Sequence, residues 1–101
     1  MKRIVLAHAA RDDILEIQYY LFENAGPKVA DRVVSDLYRA IQKLVKSPGL
    51  GHRREDPTAH PVRIWLVHSY DVIYEPDSRP LAVARILHAA RDICSILDDS
   101  A

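Results

Sequence analysis

The spacing of apolar side chains predicts two consecutive helices in the first half of the chain. Apolar residues recur at steps of four, three and four positions: Ala10, Ile14, Ile17 and Leu21. This spacing puts them on one helical face, and we predict a helix over residues 8–24. A continuous apolar stripe predicts a second helix over residues 27–46. The short "NAGP" link between them predicts an antiparallel helical hairpin.

Short runs rich in β-branched and aromatic residues predict four strands around this hairpin. The first is "RIVLA", and the others cover residues 62–67, 70–75 and 81–87. Their links, "HS" and "PDSR", are short, so the last three strands should form an antiparallel meander. Residues 81–87 are largely apolar on both faces, which favours a central strand. The polar stretch "HRREDPTAH" before the meander is predicted to be a loop.

A short terminal helix over residues 89–97 completes the predicted order β-α-α-β-β-β-α. The predicted fold class is α+β, with an N-terminal strand, the helical hairpin, the three-stranded meander and this C-terminal helix, in one domain over residues 1–101. We expect the helices to cover one face of the sheet. We expect Arg63 and Trp65 on the other face, which an isolated chain would expose to water.

Composition narrows the classes of function. The chain has 14 Lys and Arg and 14 Asp and Glu, so its formal net charge is zero. Proteins that hold nucleic acid mainly by neutralising phosphates usually carry excess basic residues, although folding can still gather cations on one face. The only cysteine, Cys94, excludes a disulfide within the chain and reads as a small buried hydrophobe. Without a signal-like or membrane-spanning apolar run, we expect a cytoplasmic protein.

One cation stands out because it interrupts an apolar strand. Arg85 lies within "LAVARIL", and a partly buried charge requires a partner. An ion pair or a ligand contact is therefore expected, and Asp71 on the neighbouring strand is one possible internal partner. On the first meander strand, Arg63 is either a solvated arginine or, beside Trp65, part of an anchor for a partner.

The segment "ARILHAARDI" contains the remaining candidates, His88 and Arg91. One interpretation is structural: both residues anchor the terminal helix at the junction between strand and helix. The other is a binding or proton-transferring role, since histidine titrates near neutral pH. The other four histidines lack the spacing of zinc ligands, and no Gly-rich phosphate loop or nucleophile motif occurs. We expect no metal, no cofactor and no catalytic residue.

Four segments carry a resemblance to a known family: "LAHAARDDILEIQYYL", "SPGLGHRR", "VRIWLVHSYDVIYEP" and "ARILHAARDI". In this order, they make the chain similar to the RelE/ParE superfamily of type II toxin–antitoxin toxins, and within it to the ParE branch. The last segment is very close to the usual ParE ending of an apolar strand followed by His, two small residues, Arg and Asp.

The resemblance implies a toxin that poisons DNA gyrase by binding it and that forms a hetero-oligomer with a ParD-like antitoxin. It implies neither a membrane partner nor direct sequence-specific binding of nucleic acid. The partner-binding candidates are then Arg63, Trp65, Arg85, His88 and Arg91. Two alternatives stay open. One is a ribosome-dependent mRNA endonuclease like RelE, which the absence of a C-terminal Tyr disfavours. The other is a degenerate toxin that still binds antitoxin.

Overall fold

A computed structural model describes residues 4–53 and 62–89 of the chain. A short strand comes first, followed by two helices and a short 3-10 turn at Pro48–Leu50. The elements are β1 (Ile4–Leu6), α1 (His8–Ala25), α2 (Pro27–Lys46), β2 (His52–Arg53), β3 (Arg63–Val67), β4 (Tyr70–Glu75) and β5 (Leu81–His88). The α+β class is confirmed, and both helices and all four predicted strands occur within one or two residues of their predicted positions.

The junction between the helices depends on Gly26. This residue has a φ of 94°, a conformation that side chains with a Cβ rarely adopt, and its N–H donates to the carbonyls of Leu21 and Phe22. Pro27 follows at the first position of α2, where its missing N–H costs nothing. The chain therefore reverses within one residue, and α1 packs against α2 as the predicted hairpin.

The strands form one mixed sheet in the order β1-β5-β4-β3-β2. The meander is confirmed, since β3 with β4 and β4 with β5 are antiparallel, while β1 runs parallel to β5. The interior position of β5 is also as predicted. The prediction of a loop was wrong at its start, because His52 and Arg53 pair with β3. The predicted terminal helix over residues 89–97 lies outside the described residues.

The main core lies between the helical hairpin and one face of the sheet. Residues that are at most 1% exposed there include Ala10, Leu37, Ile41, Leu44, Val72, Tyr74, Val83 and Ile86. Trp65 packs against this core, and Arg63, on the same face of β3, pairs with the core residue Tyr74. The predicted place of both residues on the uncovered face was therefore wrong. Alternation along β3 shows which residues share a face. Pairing of Trp65 with Val72, which is 0% exposed, decides that this face meets the helices.

The opposite face of the sheet is less exposed than the sequence suggests. Ile73 and Leu87 are 0% and 2% exposed, and Val62, Ile64 and Ala84 pack against them. The expectation that this face is open to water was therefore wrong for these two side chains. Among the helices described, none is long and apolar enough to cross a bilayer.

Candidate partner-binding site

Arg85 is held in a two-bond ion pair with a carboxylate on α1. Its Nε donates to Asp13 Oδ2 at 2.8 Å and its Nη2 donates to Asp13 Oδ1 at 3.0 Å. The side chains are 17% and 5% exposed, so both charges are largely removed from water. An ion pair was one of the two expectations for Arg85. Its partner is Asp13 across the helix–sheet interface, whereas Asp71 had been suggested from the neighbouring strand.

The local shape of the sheet explains this pair. A register shift at Ile73 and Tyr74 puts an extra residue, Ala84, into β5, and such bulges re-aim the side chains beside them. Strand β1 pairs with β5 only as far as Val83, and within residues 4–53 and 62–89 no strand lies beside the next backbone groups on that edge. Asp13 Oδ2 accepts the N–H of Ile86 at 2.9 Å and so replaces the missing strand.

The electrostatics of Arg85 follow from the same contacts. The hydrogen bond to Asp13 raises the pKa of Arg85 above its usual range, and burial of the guanidinium opposes this rise. The negative charges of Asp13 and Glu16 also raise this pKa. The guanidinium therefore remains charged, and two of its N–H groups are hydrogen-bonded within the chain. Its structural role is to neutralise Asp13 at the edge of the sheet.

Arg63 forms its hydrogen bonds in a different part of the structure. Its Nη1 donates to the carbonyl of Gly51 at 2.5 Å and lies 3.5 Å from that of Gly49. Tyr74 holds the same turn, since its hydroxyl donates to the carbonyl of Pro48 at 2.5 Å and accepts the N–H of Gly51 at 3.0 Å. Arg63 thus stabilises the link between α2 and β2, and its side chain is not part of the Asp13–Arg85 pair.

His88 ends β5 beside the turn that joins β3 to β4. Its ring meets that of Tyr70 edge-on, with the ring centres 5.7 Å apart. Burial raises the pKa of the Tyr70 hydroxyl, and the nearby Tyr20 raises it further, so Tyr70 stays neutral over the physiological range. The next residue, Ala89, donates its N–H to the carbonyl of Ser69 at 2.8 Å. Arg91 lies outside the described residues.

A groove of about 550 Å³ opens between α1 and the ends of β4 and β5. Apolar and polar side chains line it: Ile17, Tyr20, Leu21, Val33, Tyr70, Ile86 and Leu87, with Asp13, Glu16, His68, Ser69 and His88. Of the five residues predicted as partner-binding, His88 lines this groove. Arg63 donates to the turn at residues 49–51, Arg85 is paired with Asp13, and Trp65 packs against the core.

The outward side of α1 continues the groove as an exposed apolar surface. Tyr20 is 60% exposed, and the exposed fractions of Leu15, Tyr19 and Phe22 are 63%, 69% and 54%. Leu15, Tyr19 and Phe22 follow one another at steps of four and three residues, so they form a stripe on one side of the helix. Contiguous exposed apolar surface of this kind typically marks a site of protein–protein interaction.

The sequence contains a signal for the pairing of Asp13 with Arg85. Asp13 lies between Ala10 and Ile17 on the buried face of α1, where a carboxylate requires a cation or several donors. Arg85 raises the same requirement from β5. A carboxylate on an apolar helix face and an arginine on an apolar strand each require a partner of opposite charge, so together they indicate a buried ion pair. The sequence does not specify how the helix is aligned on the strand.

No group of three or more His, Cys, Asp or Glu within residues 4–53 and 62–89 is arranged to hold a metal ion. Some of the ionisable side chains there form pairs with each other. On α2, Asp36 accepts from Arg39 at 3.2 Å and lies 2.8 Å from His68 Nε2, which ties the β3–β4 turn to the helix.

Comparisons with known proteins identify the family of this chain. The family model described as "ParE toxin of type II toxin-antitoxin system, parDE" matches residues 4–93. A solved structure described as "Chromosomal ParDE TA system from P. aeruginosa" is similar to this chain with a TM-score of 0.72 and 18% sequence identity. That similarity covers 87% of this chain and 96% of the other, and it supports the fold. A search of curated proteins found no match.

Proposed function

Since this chain belongs to the ParE toxin family of type II toxin–antitoxin systems, we propose that it inhibits DNA gyrase by binding it. A ParD-like antitoxin neutralises it in a hetero-oligomeric complex. Both partners would meet it in the cytoplasm. The antitoxin partner is supported by the family match, which covers most of the chain. The choice of gyrase as target rests on the family resemblance seen in the sequence.

Binding is favoured over catalysis because the two candidate arginines, Arg63 and Arg85, are hydrogen-bonded within the chain. Cleavage of RNA requires cations that hold the scissile phosphate and stabilise its developing charge. Arg85 is paired with Asp13, and Arg63 donates to carbonyls of the 49–51 turn. With both guanidinium groups engaged within the chain, a site like that of RelE would first have to break these contacts.

The first prediction separates the two mechanisms. The free toxin is expected to inhibit supercoiling by purified gyrase and to cause DNA breaks, in proportion to the amount of toxin bound. It should leave ribosome-bound mRNA uncut. The measurement is a gyrase supercoiling and cleavage assay beside primer extension on translated mRNA, at the same toxin concentration.

Two results would contradict this proposal. Discrete mRNA cuts that disappear in His88→Ala, with gyrase unaffected, would establish the endonuclease alternative. Inactivity in both assays, with binding to antitoxin intact, would identify a degenerate toxin. A heat-denatured toxin sample serves as the control in each assay.

The groove and the adjoining stripe on α1 are the surface we assign to the antitoxin. The groove is lined by apolar side chains together with polar ones, a mixture that protein interfaces usually have. Tyr20 lines the groove and is 60% exposed, so a partner that covers it would remove a large aromatic surface from water. Aromatic residues of this kind dominate the energies of interfaces.

The second prediction concerns Tyr20. Tyr20→Ala is expected to weaken antitoxin binding by about 2 kcal/mol or more, as for an interfacial hot spot. Its effect on the stability of the free toxin should be small because the side chain is mostly exposed. Calorimetric titration with antitoxin and a thermal melt of the same variant measure the two quantities.

Tyr38→Ala provides the matched control. Tyr38 is also a partly exposed tyrosine, at 43%, but it lies on α2 and does not line the groove. Its replacement should leave the affinity for antitoxin unchanged. Saturating antitoxin should raise the melting temperature of both the wild type and Tyr38→Ala, because the antitoxin binds the folded state. Equal losses of affinity in the two variants would show that the antitoxin does not use the groove.

A further inference from the structure

The zero net charge of the chain conceals a separation of charge between the two helices. Helix α1 carries one Arg and four carboxylates, so its side chains are predominantly acidic. Helix α2 carries five Lys and Arg and two carboxylates, so its side chains are predominantly basic. Because the two helices pack side by side, the hairpin is electrically polarised. Folding has therefore produced a basic surface that the composition does not show.

The cations of α2 are aligned, and we call them the α2 basic stripe: Lys28, Arg32, Arg39, Lys43 and Lys46. At 3.6 residues per turn, all five lie within an arc of about 60° around the helix, and they extend over about 27 Å. All five are exposed, because the opposite face of α2 packs its apolar residues into the core. The stripe is thus a straight row of cations that faces solvent.

Most of these charges are available to a ligand. Arg39 pairs with Asp36 at 3.2 Å, and its side chain is 76% exposed. Within residues 4–53 and 62–89, the other four members make no ion pair. The two carboxylates of α2, Asp31 and Asp36, flank the row and do not interrupt it.

The uncharged positions beside the stripe indicate what kind of partner it fits. Ser35 and Gln42 lie about 20° and 40° beyond one edge of the stripe. Both are exposed, and both can donate hydrogen bonds to phosphate oxygens. The row has no aromatic or large aliphatic side chain of the kind that anchors a protein partner. A nucleic-acid duplex suits such a surface, since duplex DNA presents one negative charge per about 1.7 Å of its axis.

We propose that the α2 basic stripe binds the phosphate backbone of a nucleic-acid duplex without sequence specificity. The contact is electrostatic and involves roughly four phosphates, so the logarithm of the binding constant should fall with the logarithm of salt concentration with a slope of about −4. The stripe is distinct from the groove assigned to the antitoxin. The proposal does not depend on inhibition of gyrase, and its test contains no gyrase.

The third prediction tests this stripe. Fluorescence anisotropy of a labelled duplex of arbitrary sequence is measured with the complete chain over a series of salt concentrations. The double variant Arg32→Gln/Lys43→Gln should bind about tenfold or more weakly at low salt, and the magnitude of its salt slope should fall by about 2. Parallel titrations with a DNA duplex and an RNA duplex identify the source of the phosphates, and tighter binding of either supports the proposal.

The matched control removes the same charge from other surfaces. Arg11 lies on α1 and Arg79 in the turn between β4 and β5, and both are exposed. Arg11→Gln/Arg79→Gln should therefore keep the wild-type affinity and slope, although its net charge equals that of the stripe variant. Thermal melts establish that both double variants are folded.

Three outcomes would overturn the proposal. Equal weakening in the two double variants would show that net charge, and not the stripe, controls binding. A wild-type chain that binds neither duplex at low salt would show that the stripe is only a solvated helix face. Binding of a polyglutamate peptide as tightly as a duplex would assign the stripe to an acidic protein partner.

Discussion

Asp13→Ala is expected to lower the free energy of unfolding by about 3–5 kcal/mol, because it leaves the buried charge of Arg85 without its partner. It also removes the acceptor of the Ile86 N–H, which is buried at the edge of the sheet. In a domain of this size, 1 kcal/mol corresponds to roughly 4–8 °C in melting temperature. The variant should therefore melt more than about 10 °C below the wild type, measured by circular dichroism.

Asp12→Ala is the control for this change. Asp12 is the neighbouring carboxylate on α1, with a side chain that is 61% exposed and 3.7 Å from His8 Nε2. Exposed pairs contribute about 0–1 kcal/mol, so this variant should melt close to the wild type. If Asp13→Ala and Asp12→Ala melted at the same temperature, the buried pair would have no special role in stability.

A melt and a binding titration of Arg85→Ala decide whether Arg85 belongs to a binding site. If Arg85 serves only Asp13, Arg85→Ala should also melt low, and its folded fraction should bind antitoxin with unchanged affinity. The double variant Asp13→Leu/Arg85→Leu should recover stability relative to either single change, since apolar residues often replace buried ion pairs at little cost. A loss of antitoxin affinity in folded Arg85→Ala would instead make the guanidinium a partner contact.

Gly51→Ala is expected to lower the free energy of unfolding by about 1–3 kcal/mol, as for overpacking of a tight site. A Cβ at this position would lie 2.6 Å from the Tyr74 hydroxyl and 2.8 Å from the carbonyl oxygen of Ile64. The methyl group would push Tyr74 away from the turn that it holds and would disturb the pairing of β2 with β3. Denaturant unfolding of the purified chain measures the loss.

Gly49→Ala lies two residues away in the same turn and gives a matched control. A Cβ there would meet nothing within 4 Å. This variant should be as stable as the wild type or slightly more stable, because alanine restricts the unfolded chain more than glycine does. A loss of stability at position 49 equal to that at position 51 would show that the turn requires glycine for its backbone and not for contact with Tyr74.

Local patterns were sufficient for both helices and for four of the five strands described, because each of these patterns depends on neighbours in the sequence. The apolar stripe of α2 predicted its bounds, and Gly26 with Pro27 predicted the break before it. The short links of the meander predicted antiparallel pairing, and the apolar faces of β5 predicted its interior position. The two-residue strand β2 was missed, because a pair of polar residues carries no periodicity and its pairing depends on β3.

The candidate site was less predictable, because its residues are far apart in the sequence. Of the predicted partner-binding residues, His88 lines the groove. For Arg85, the requirement for a partner was evident, but its carboxylate lies 72 residues away on α1. Arg63 and Trp65 were assigned to the wrong face, since alternation along a strand does not show which face the helices cover.

By itself, the sequence determined the two helices, the four longer strands, the order of these elements and the family to which this chain belongs, because these follow from spacing and from local motifs. Only the tertiary structure decided where charges and aromatic side chains meet. Docking of α1 on the sheet joins Asp13 to Arg85 and forms the groove beside Tyr20. The hairpin also places an acidic helix beside a basic one in a chain with no net charge. These properties depend on packing between distant segments, which neither periodicity nor composition specifies.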